Sequence, residues 1–329
     1  MLSATADGSA FRDAKACAES IARGERLERA GEVVRVVTWN VRWFPDGGPG
    51  KTAGTNLEWL ACALAWLDAD VFMLQEIKRS PSAAAAMESV VDQLARHTRA
   101  KWQVAVDDCP HPESQHLAML YRSDRVAMTD IATRGEIDPT VVKKAQASCP
   151  GRLRPALTGY VRSLRGGLDF HLATVHLDSG KEERDQNNRR EAWRRIETLT
   201  HSMQTARADD DVIVLGDFNT MGCRGCGIPT AAAELAAMID ALRGLSFPYR
   251  IASLQLGCSE YYNEHGTLLD HVLIAATMQE ADDAPVRVSG ICSALACKKL
   301  DAAHVAVMAE LSDHCPVVVD VPDHDIDGS

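Results

Sequence analysis

The feature that most constrains the fold is an apolar run that opens directly into two polar residues. Residues 212–215 read Val-Ile-Val-Leu, and Gly216, Asp217, Phe218 and Asn219 follow. Three β-branched residues in four predict a strand that is buried on both faces. An aspartate at the exit of such a strand needs a reason, because ionised carboxylates are seldom buried without partners. Local turn bonding is one reason, and membership of a polar site is the other.

Other apolar runs predict further strands, several of which also end in polar residues. Strands are predicted at 33–40, 70–76, 102–106, 117–121, 157–163, 169–176, 212–215, 268–274 and 315–321. Helical spacing and composition predict helices at 57–67, 82–99, 181–203 and 230–243. Asn56 is the expected cap of the first of these helices. Strands separated by helices indicate an α/β fold whose strand pairing is mixed rather than purely parallel.

The chain shows no internal repeat and no break in composition, so a single domain is predicted. Its 329 residues are enough to bury a large core. We expect an N-terminal helical extension at 1–31, with its helix at 9–30, then one domain at 32–322 and a frayed acidic tail at 323–329. The segment 129–152 carries weak patterns that indicate strand and loop.

Composition and charge limit the classes of partner. With 46% hydrophobic and 25% charged residues, the chain is typical of a globular protein. Its apolar runs are too short for a membrane span, so no stable membrane association is expected. The net charge of -11 argues against a bulk electrostatic hold on nucleic acid. It leaves room for an enzyme that contacts a few phosphates through a metal and local basic groups.

The cysteines indicate an oxidising compartment. There are ten, an even number that exceeds what a reducing cytosol usually requires, and disulfides are favoured, although their connectivity cannot be read from sequence. Cys223 and Cys226 form a Cys-x-x-Cys segment with three interpretations. It is a tight disulfide, a redox pair, or half of a zinc site completed by Cys292 and Cys297.

Eight polar residues lie at or beside the ends of predicted strands. They are Asn40, Glu76, His176, Asp217, Asn219, Asp270, Asp313 and His314. Each has an ordinary structural explanation, as a turn former, a helix cap or a core histidine. A sheet whose strand ends share one rim would bring all eight together, as α/β enzymes commonly do. Their recurrence at the same topological place therefore favours a site.

Three of these residues suit a hard metal ion. The carboxylates of Glu76 and Asp313 and the amide of Asn40 offer oxygen ligands of the kind that Mg²⁺ and Mn²⁺ prefer, with waters completing the shell. No cysteine occupies these positions, so a tetrahedral zinc site is not expected here. A further Ca²⁺ or Zn²⁺ site elsewhere stays open.

The other five residues suit hydrolysis of a phosphoester. Asp217 is a candidate to orient and deprotonate an attacking water. Asn219 and His176 offer donors for the non-bridging phosphate oxygens. His314, oriented by Asp270, is a candidate to carry a proton and stabilise charge that builds on the phosphate. Together with the metal ligands, this set predicts metal-assisted phosphoester hydrolysis.

The order of these motifs resembles the endonuclease/exonuclease/phosphatase superfamily, which includes pancreatic-type deoxyribonucleases and exonuclease III-like repair enzymes. The matching segments are Thr38–Val41, Leu74–Glu76, Val175–Leu177, Gly216–Asn219, Leu269–His271 and Ser312–Pro316. The resemblance implies a four-layer α/β sandwich, in which two mixed sheets pack face to face with helices on the outside.

The resemblance also implies roles for the site residues. It places Glu76 on the metal, Asp217 on the nucleophilic water and Asn219 on the phosphate. It pairs His314 with Asp270.

The family resemblance bears on three further features: Arg154, the orientation of His176 and the segment 175–181. Arg154 resembles the arginine with which deoxyribonucleases of this type contact phosphate, and a surface salt bridge is the alternative. Those enzymes partner the first histidine with a carboxylate, but the matching segment 114–117 carries Gln115, which leaves open how His176 is oriented. The segment 175–181 is similar to secreted bacterial members, and with the cysteines it favours a secreted or periplasmic location.

Two further features have two interpretations each. The predicted helix 181–203 carries a run of arginines, which either forms a solvated face paired with its own glutamates or a ridge that contacts a nucleic-acid strand. Tyr261 and Tyr262 either stack on a base or sugar or pack within a loop.

The leading hypothesis is a Mg²⁺- or Mn²⁺-dependent phosphodiesterase that acts on DNA, as an endonuclease of low sequence specificity and as a monomer. One alternative keeps the chemistry and changes the substrate to a small or lipid phosphoester, since one scaffold hosts both. A third hypothesis is a non-catalytic binding module on the same fold, which the intact set of site residues argues against.

Overall fold

Two mixed β-sheets stack face to face, and helices cover both outer faces. The computed structural model describes residues 10–48, 53–300 and 304–326. Within these ranges the strands form two six-stranded sheets and one two-stranded hairpin. In chain order the strands are β1 (Val33–Phe44), β2 (Val71–Ile77), β3 (Trp102–Val106), β4 (His116–Arg122), β5 (Val126–Arg134), β6 (Ala156–Ser163), β7 (Asp169–His176), β8 (Val212–Asp217), β9 (Tyr249–Ile251), β10 (Glu260–Tyr262), β11 (His265–Thr267), β12 (Asp270–Ala275), β13 (Val286–Val288) and β14 (Val317–Pro322).

The helices follow the predicted segments closely after residue 50. They are α1 (Ala14–Ala22), α2 (Leu57–Leu67), α3 (Pro81–Thr98), α4 (Glu183–Ala206), α5 (Ala231–Arg243), α6 (Ile291–Ala294) and α7 (Val305–Glu310). The Asn56 side chain accepts a hydrogen bond from the Trp59 N–H and caps α2 as predicted. In the described ranges, every helix is too short or too polar to cross a membrane.

The strand order explains why polar strand ends meet. The first sheet has the order β13-β14-β1-β2-β4-β3 and the second β5-β6-β7-β8-β12-β9. β1 and β2 run parallel, as do β7 and β8, and the remaining pairs are antiparallel. Parallel neighbours present their carboxyl ends at one edge, so the residues at the ends of these four strands share a rim.

Apolar residues fill the space between the layers. Between the sheets, Val36, Met73, Leu172 and Ile213 belong to one cluster of buried side chains. A second cluster joins the first sheet to α2 and α3, and a third joins the second sheet to α4 and α5. Central strands are therefore buried on both faces, as the apolar run at 212–215 predicts. This confirms the expected four-layer α/β sandwich of two mixed sheets.

The N-terminal helix is shorter than predicted. Helix α1 ends at Ala22 rather than at residue 30, and Gly24 follows with a positive φ of 78°. The carbonyls of Leu27 and Glu28 accept hydrogen bonds from the buried Arg35 guanidinium, at 2.9 and 2.6 Å. The Leu27 N–H donates to the Trp66 carbonyl at 2.8 Å, so the segment after Gly24 bonds to partners outside the predicted helix instead of continuing it, which the local sequence does not reveal.

The described part of the acidic tail is held at its start. The Asp323 carboxylate accepts a hydrogen bond from Ser163 Oγ at 2.8 Å, and its N–H donates to the Glu32 carbonyl. The predicted tail residues 327–329 and residues 1–9 lie outside the described residues.

All ten cysteines form disulfides. The pairs are Cys17–Cys62, Cys109–Cys149, Cys223–Cys226, Cys258–Cys297 and Cys292–Cys315. The zinc alternative for Cys223 and Cys226 is wrong, since Cys292 and Cys297 bond to other cysteines. Five disulfides fit a protein of an oxidising compartment.

Candidate active site

The site lies on the rim where β7, β8 and β12 end or begin. Register places His176 beside Asp217, and Asp270 opposite Asp217 on the other side. Gly216 makes this approach possible: its φ is +139°, and a Cβ there would collide with the carbonyl oxygen of Val175. Glycine is the residue that tolerates both conditions, so the local sequence itself aims Asp217 at the rim.

Asp217 is the centre of the cluster. Its Oδ2 accepts a hydrogen bond from Asn40 Nδ2 at 3.0 Å, and its Oδ1 accepts the Asn219 N–H at 3.0 Å. The carboxylate is buried, and burial raises the pKa of Asp217 to about 7, although the charge of His314 acts in the opposite direction. A carboxyl group with such a pKa can accept a proton and release it near neutral pH.

His314 is held as a cation. Its Nδ1 lies 2.8 Å from Asp270 Oδ2, and its Nε2 lies 3.7 Å from Asp217 Oδ2. Burial would lower the pKa of His314, but the Asp270 and Asp217 carboxylates raise it well above its usual value. The Ser312 Oγ accepts the His314 N–H at 3.0 Å and fixes the backbone beside the ring. The imidazolium therefore points its second N–H towards the open side of Asp217.

His176 is held as a neutral imidazole. Burial lowers its pKa well below the usual value, and the charges of Arg154 and His314 add to this. Its Nε2 lies 3.3 Å from Asp217 Oδ2 and 3.7 Å from Glu76 Oε1. Within the described residues no hydrogen bond fixes the ring, because Nε2 has only these two carboxylates nearby and the buried Nδ1 has no partner.

Arg154 faces the site rather than forming a surface salt bridge. Its guanidinium donates to the carbonyls of His176 and Leu177 and to Gln115 Oε1, at 3.1, 3.0 and 2.6 Å. In the described part of the chain, Arg154 has no carboxylate within the 4.0 Å of an ion pair. Burial lowers its pKa, and the more distant Glu76 carboxylate favours the charged form. A guanidinium stays protonated in proteins, so Arg154 brings positive charge to the rim.

Asn219 lies directly after Asp217 on the same rim. Its φ of 52° is left-handed, a conformation that asparagine tolerates better than most residues. Its Nδ2 donates to the Leu177 carbonyl at 3.1 Å, which leaves the second N–H of the amide for another acceptor.

The predicted metal ligands lie in two places. Glu76 stands in the cluster, where its Oε1 accepts from Asn40 Nδ2 at 3.1 Å and its Oε2 accepts the Trp43 N–H at 2.9 Å. The Asn40 oxygen accepts the Arg42 N–H, so its amide nitrogen faces the carboxylates. The Asp313 carboxylate pairs with Arg42 at 3.3 Å, further towards solvent.

The donor set fits a hard divalent cation. The Asp217 and Asp270 carboxylates lie within 4.8 Å of each other, and Glu76 approaches the same cluster through Asn40 and His176; His314 lies equally close but, as a cation, is not itself a ligand. Asp270 Oδ1 is buried and has no hydrogen-bond partner. Carboxylates gathered in this way, one with an unsatisfied oxygen, are the environment that Mg²⁺ or Mn²⁺ stabilises.

Glu260 belongs to the site although no sequence pattern marks it. It begins β10 and forms an isolated β-bridge with His314. Burial raises the pKa of Glu260 to about 8, although the charge of His314 opposes this. The residue reaches the rim through a hairpin of two three-residue strands, which is too short for a periodic signal.

Most of the α4 arginines and tyrosines that the sequence left with two interpretations have structural roles. Arg194 and Arg195 of α4 pair with Glu191 at 3.9 and 3.0 Å, which favours the solvated-face interpretation for these residues. Arg189 fits neither interpretation, because it is buried against Glu234 of α5. Tyr261 is buried and donates to the Lys298 carbonyl, whereas Tyr262 is 64% exposed. Packing therefore explains the first tyrosine and not the second.

Comparison with known proteins agrees with this geometry. The sequence model of the Endonuclease/Exonuclease/phosphatase family matches residues 37–314. None of the curated protein sequences matches the chain.

Solved structures share the fold at low sequence identity. An endonuclease/exonuclease/phosphatase from Bacteroides vulgatus is 14% identical, with a TM-score of 0.57 over 88% of this chain and 98% of that chain. A mannosyl-6-phosphatase from Bacteroides thetaiotaomicron is 15% identical, with a TM-score of 0.53 over 87% and 98%. Danio rerio TDP2 in complex with a single-strand DNA product is 19% identical, with a TM-score of 0.51 over 87% and 98%. At these identities the likeness concerns the fold alone.

Proposed function

Because the chain belongs to the endonuclease/exonuclease/phosphatase family, whose members are metal-dependent phosphoesterases, we propose that it hydrolyses phosphodiester bonds in DNA. The proposed enzyme is an endonuclease of low sequence specificity, with its catalytic domain at 32–322. The observation that carries the proposal is the pairing of Asp217, whose pKa is about 7, with a charged His314 3.7 Å away. One group can take a proton while the other stabilises negative charge, as hydrolysis of a phosphoester requires.

Asp217 orients a water molecule and accepts its proton as the water oxygen attacks phosphorus. A new P–O bond forms while the ester P–O bond opposite it breaks, and the departing oxygen takes up a proton from solvent. Negative charge grows on the non-bridging oxygens, where His314 donates from Nε2. Asp270 keeps His314 in the charged form through the 2.8 Å contact with Nδ1, so it acts as a positioning residue.

Three further groups hold the phosphate. Neutral His176 and the free N–H of Asn219 offer hydrogen bonds, and Arg154 uses three of its five N–H groups on backbone and Gln115 acceptors. The two that remain suit the fork geometry of phosphate. A Mg²⁺ or Mn²⁺ ion held by Glu76 would polarise a phosphate oxygen when bound. Asn40 and Asp313 would join Glu76 as ligands only after their contacts with Arg42 break.

A panel of substrates tests the proposal. Supercoiled plasmid, a closed single-stranded circle, a small phosphodiester and a small phosphomonoester are each incubated with the protein and Mg²⁺ or Mn²⁺. We expect cleavage of both DNA circles, which have no ends, and loss of that cleavage in Asp217→Asn. Turnover of the monoester with intact DNA would assign a phosphatase instead. Retained ligand binding without any turnover would assign a binding module.

We also infer a secreted or periplasmic location, on the basis of the five disulfides. Thiol titration of the denatured, non-reduced protein should find no free cysteine. Stoichiometric free thiols in protein from its native source would contradict this inference.

A further inference from the structure

A cavity of about 530 Å³ opens beside the proposed catalytic centre. Two loops line it, at 107–116 and 142–155, and Arg154 and Trp43 form the side nearest the rim. Both residues contact the centre directly: Arg154 donates to the His176 carbonyl and the Trp43 N–H donates to Glu76. The volume lies in the range of about 300–1,000 Å³ that is usual for small-ligand sites. The cavity is therefore a continuation of the rim, large enough for one more group of the substrate.

Positive charge collects in this cavity. Lys143, Lys144, Arg152 and Arg154 line it, in a chain whose net charge is -11. Among the described residues, the side chains of Lys143, Lys144 and Arg152 donate no hydrogen bond and have no carboxylate within 4.0 Å. Cations concentrated without counter-charges create a positive potential that attracts an anion.

The one carboxylate among the residues that line the cavity already has two polar partners. Asp107 is buried, and its Oδ2 accepts the Leu117 N–H at 2.6 Å. Its Oδ1 lies 2.7 Å from His116 Nδ1. Among the described residues, Asp107 forms no ion pair with the lysines on the opposite loop, although its charge acts on Arg154.

Covalent and hydrogen-bonded links hold the two loops in place. The Cys109–Cys149 disulfide joins them across the cavity. Within the second loop, the Arg152 N–H donates to Thr140 Oγ1 at 2.8 Å, and the Val142 N–H donates to the Pro150 carbonyl. The backbone that carries the cations is thus preorganised, which lowers the entropy cost of binding.

We propose that this cavity is a second phosphate subsite, which binds the phosphate adjacent to the scissile one in a nucleic-acid strand. The inference rests on the proposed function and names the part of the substrate that the enzyme recognises beyond the scissile bond. Trp43, which lines the same cavity, supplies an aromatic face on which a base can stack. Cations beside an aromatic ring are the combination that single-stranded nucleic acid binds.

Two triple variants of the full-length, oxidised protein test the subsite. In the first, Lys143, Lys144 and Arg152 are each replaced by glutamine. In the matched control, three exposed arginines of α3 and α4, namely Arg96, Arg190 and Arg194, are replaced in the same way. Both variants lose three positive charges, so a difference between them reports on position rather than on net charge.

Activity is compared on two substrates, a single strand of about ten nucleotides and bis(4-nitrophenyl) phosphate, which has no second phosphate. We expect the subsite variant to lose at least about tenfold in kcat/KM on the oligonucleotide. The slope of log(kcat/KM) against log[salt] should become shallower by about one or more. Its kcat/KM on the small diester should stay within about twofold of the wild-type value. The control variant should stay within about twofold of wild type on both substrates. An equal loss on both substrates, or no loss on either, would overturn the subsite.

A binding measurement separates this inference from the proposed function. In an Asp217→Asn background, fluorescence anisotropy gives the Kd for the same labelled oligonucleotide. A Kd about tenfold weaker in the subsite variant alone supports the subsite, even if the wild type cuts no DNA and the proposed function fails. An unchanged Kd, or no oligonucleotide binding by the parent protein, overturns it.

Discussion

Replacing Asp270 with asparagine tests how a buried carboxylate keeps His314 charged. The two side chains approach to 2.8 Å; Asp270 is buried, and the His314 side chain is 10% exposed. A hydrogen bond between charged groups contributes about 1.5–3 kcal/mol. Since one pKa unit corresponds to about 1.4 kcal/mol, the substitution should lower the pKa of His314 by about one to two units.

The assay is a pH–rate profile on the small phosphodiester with saturating Mg²⁺. In the proposed mechanism His314 must be protonated, so activity falls as pH rises through its pKa. In Asp270→Asn that alkaline limb should move down by about one to two pH units. Above the new pKa, kcat should drop by about 10- to 150-fold. Thermal unfolding of both proteins checks that the fold survives.

Combining Asp270→Asn with His314→Gln in one protein adds a second check. Because Asp270 acts through His314, Asp270→Asn should cost little further activity once His314 is glutamine. An alkaline limb that stays in place in the single variant, or effects that multiply in the double variant, would refute the reasoning.

Three other predictions concern the metal, the fold and the subsite. Glu76→Gln should raise the Mg²⁺ concentration for half-maximal activity by about tenfold or more, because a carboxylate ligand is lost; an unchanged requirement removes Glu76 from the metal. Burial lowers the pKa of His271 to about 3, so the unfolded chain takes up a proton below about pH 6.5 that the folded chain refuses. From pH 7 to pH 5, the free energy of unfolding should therefore fall by about 2 kcal/mol more in wild type than in His271→Gln, as urea titrations measure; equal falls contradict a neutral His271. Cys109→Ser with Cys149→Ser should reduce the preference for the oligonucleotide over the small diester, as the ratio of kcat/KM values reports; an unchanged ratio means that the disulfide does not shape the subsite.

The sheet and its rim could be predicted because their determinants are local. Four residues, Val212 to Leu215, specify a strand that is buried on both faces, and Gly216 lets that strand lie close to its neighbour. Helices between strands then impose parallel pairs with a common rim. The meeting of Asp217 and His176 follows from those two facts, and Asp270 joins them because the antiparallel β12 begins where β8 ends.

The parts that could not be predicted depend on partners far away in sequence. Helix α1 ends at Ala22, and the segment after it bonds through the Leu27 N–H to the Trp66 carbonyl instead of continuing the helix. Glu260 enters the site through a bridge to His314, and neither the short β10 strand nor its neighbours carry a pattern that shows this.

Arg154 illustrates the same limit at the site itself. One arginine before a proline fits a surface salt bridge as well as a phosphate contact. The choice depends on three acceptors, of which Gln115 is 39 residues away. Disulfide connectivity is equally inaccessible, since ten cysteines pair in many ways and only the fold selects one.

The central claim is that Asp217 and His314 hydrolyse DNA with a divalent metal, and nicking of supercoiled plasmid tests it most directly. Wild type, Asp217→Asn, His314→Gln and the exposed control Asp240→Asn are compared over a Mg²⁺ titration, with chelator as the blank. We predict metal-dependent nicking by wild type and Asp240→Asn, and a loss of at least about a hundredfold in the two site variants. Near wild-type nicking by Asp217→Asn or His314→Gln, or nicking that survives the chelator, would contradict the account.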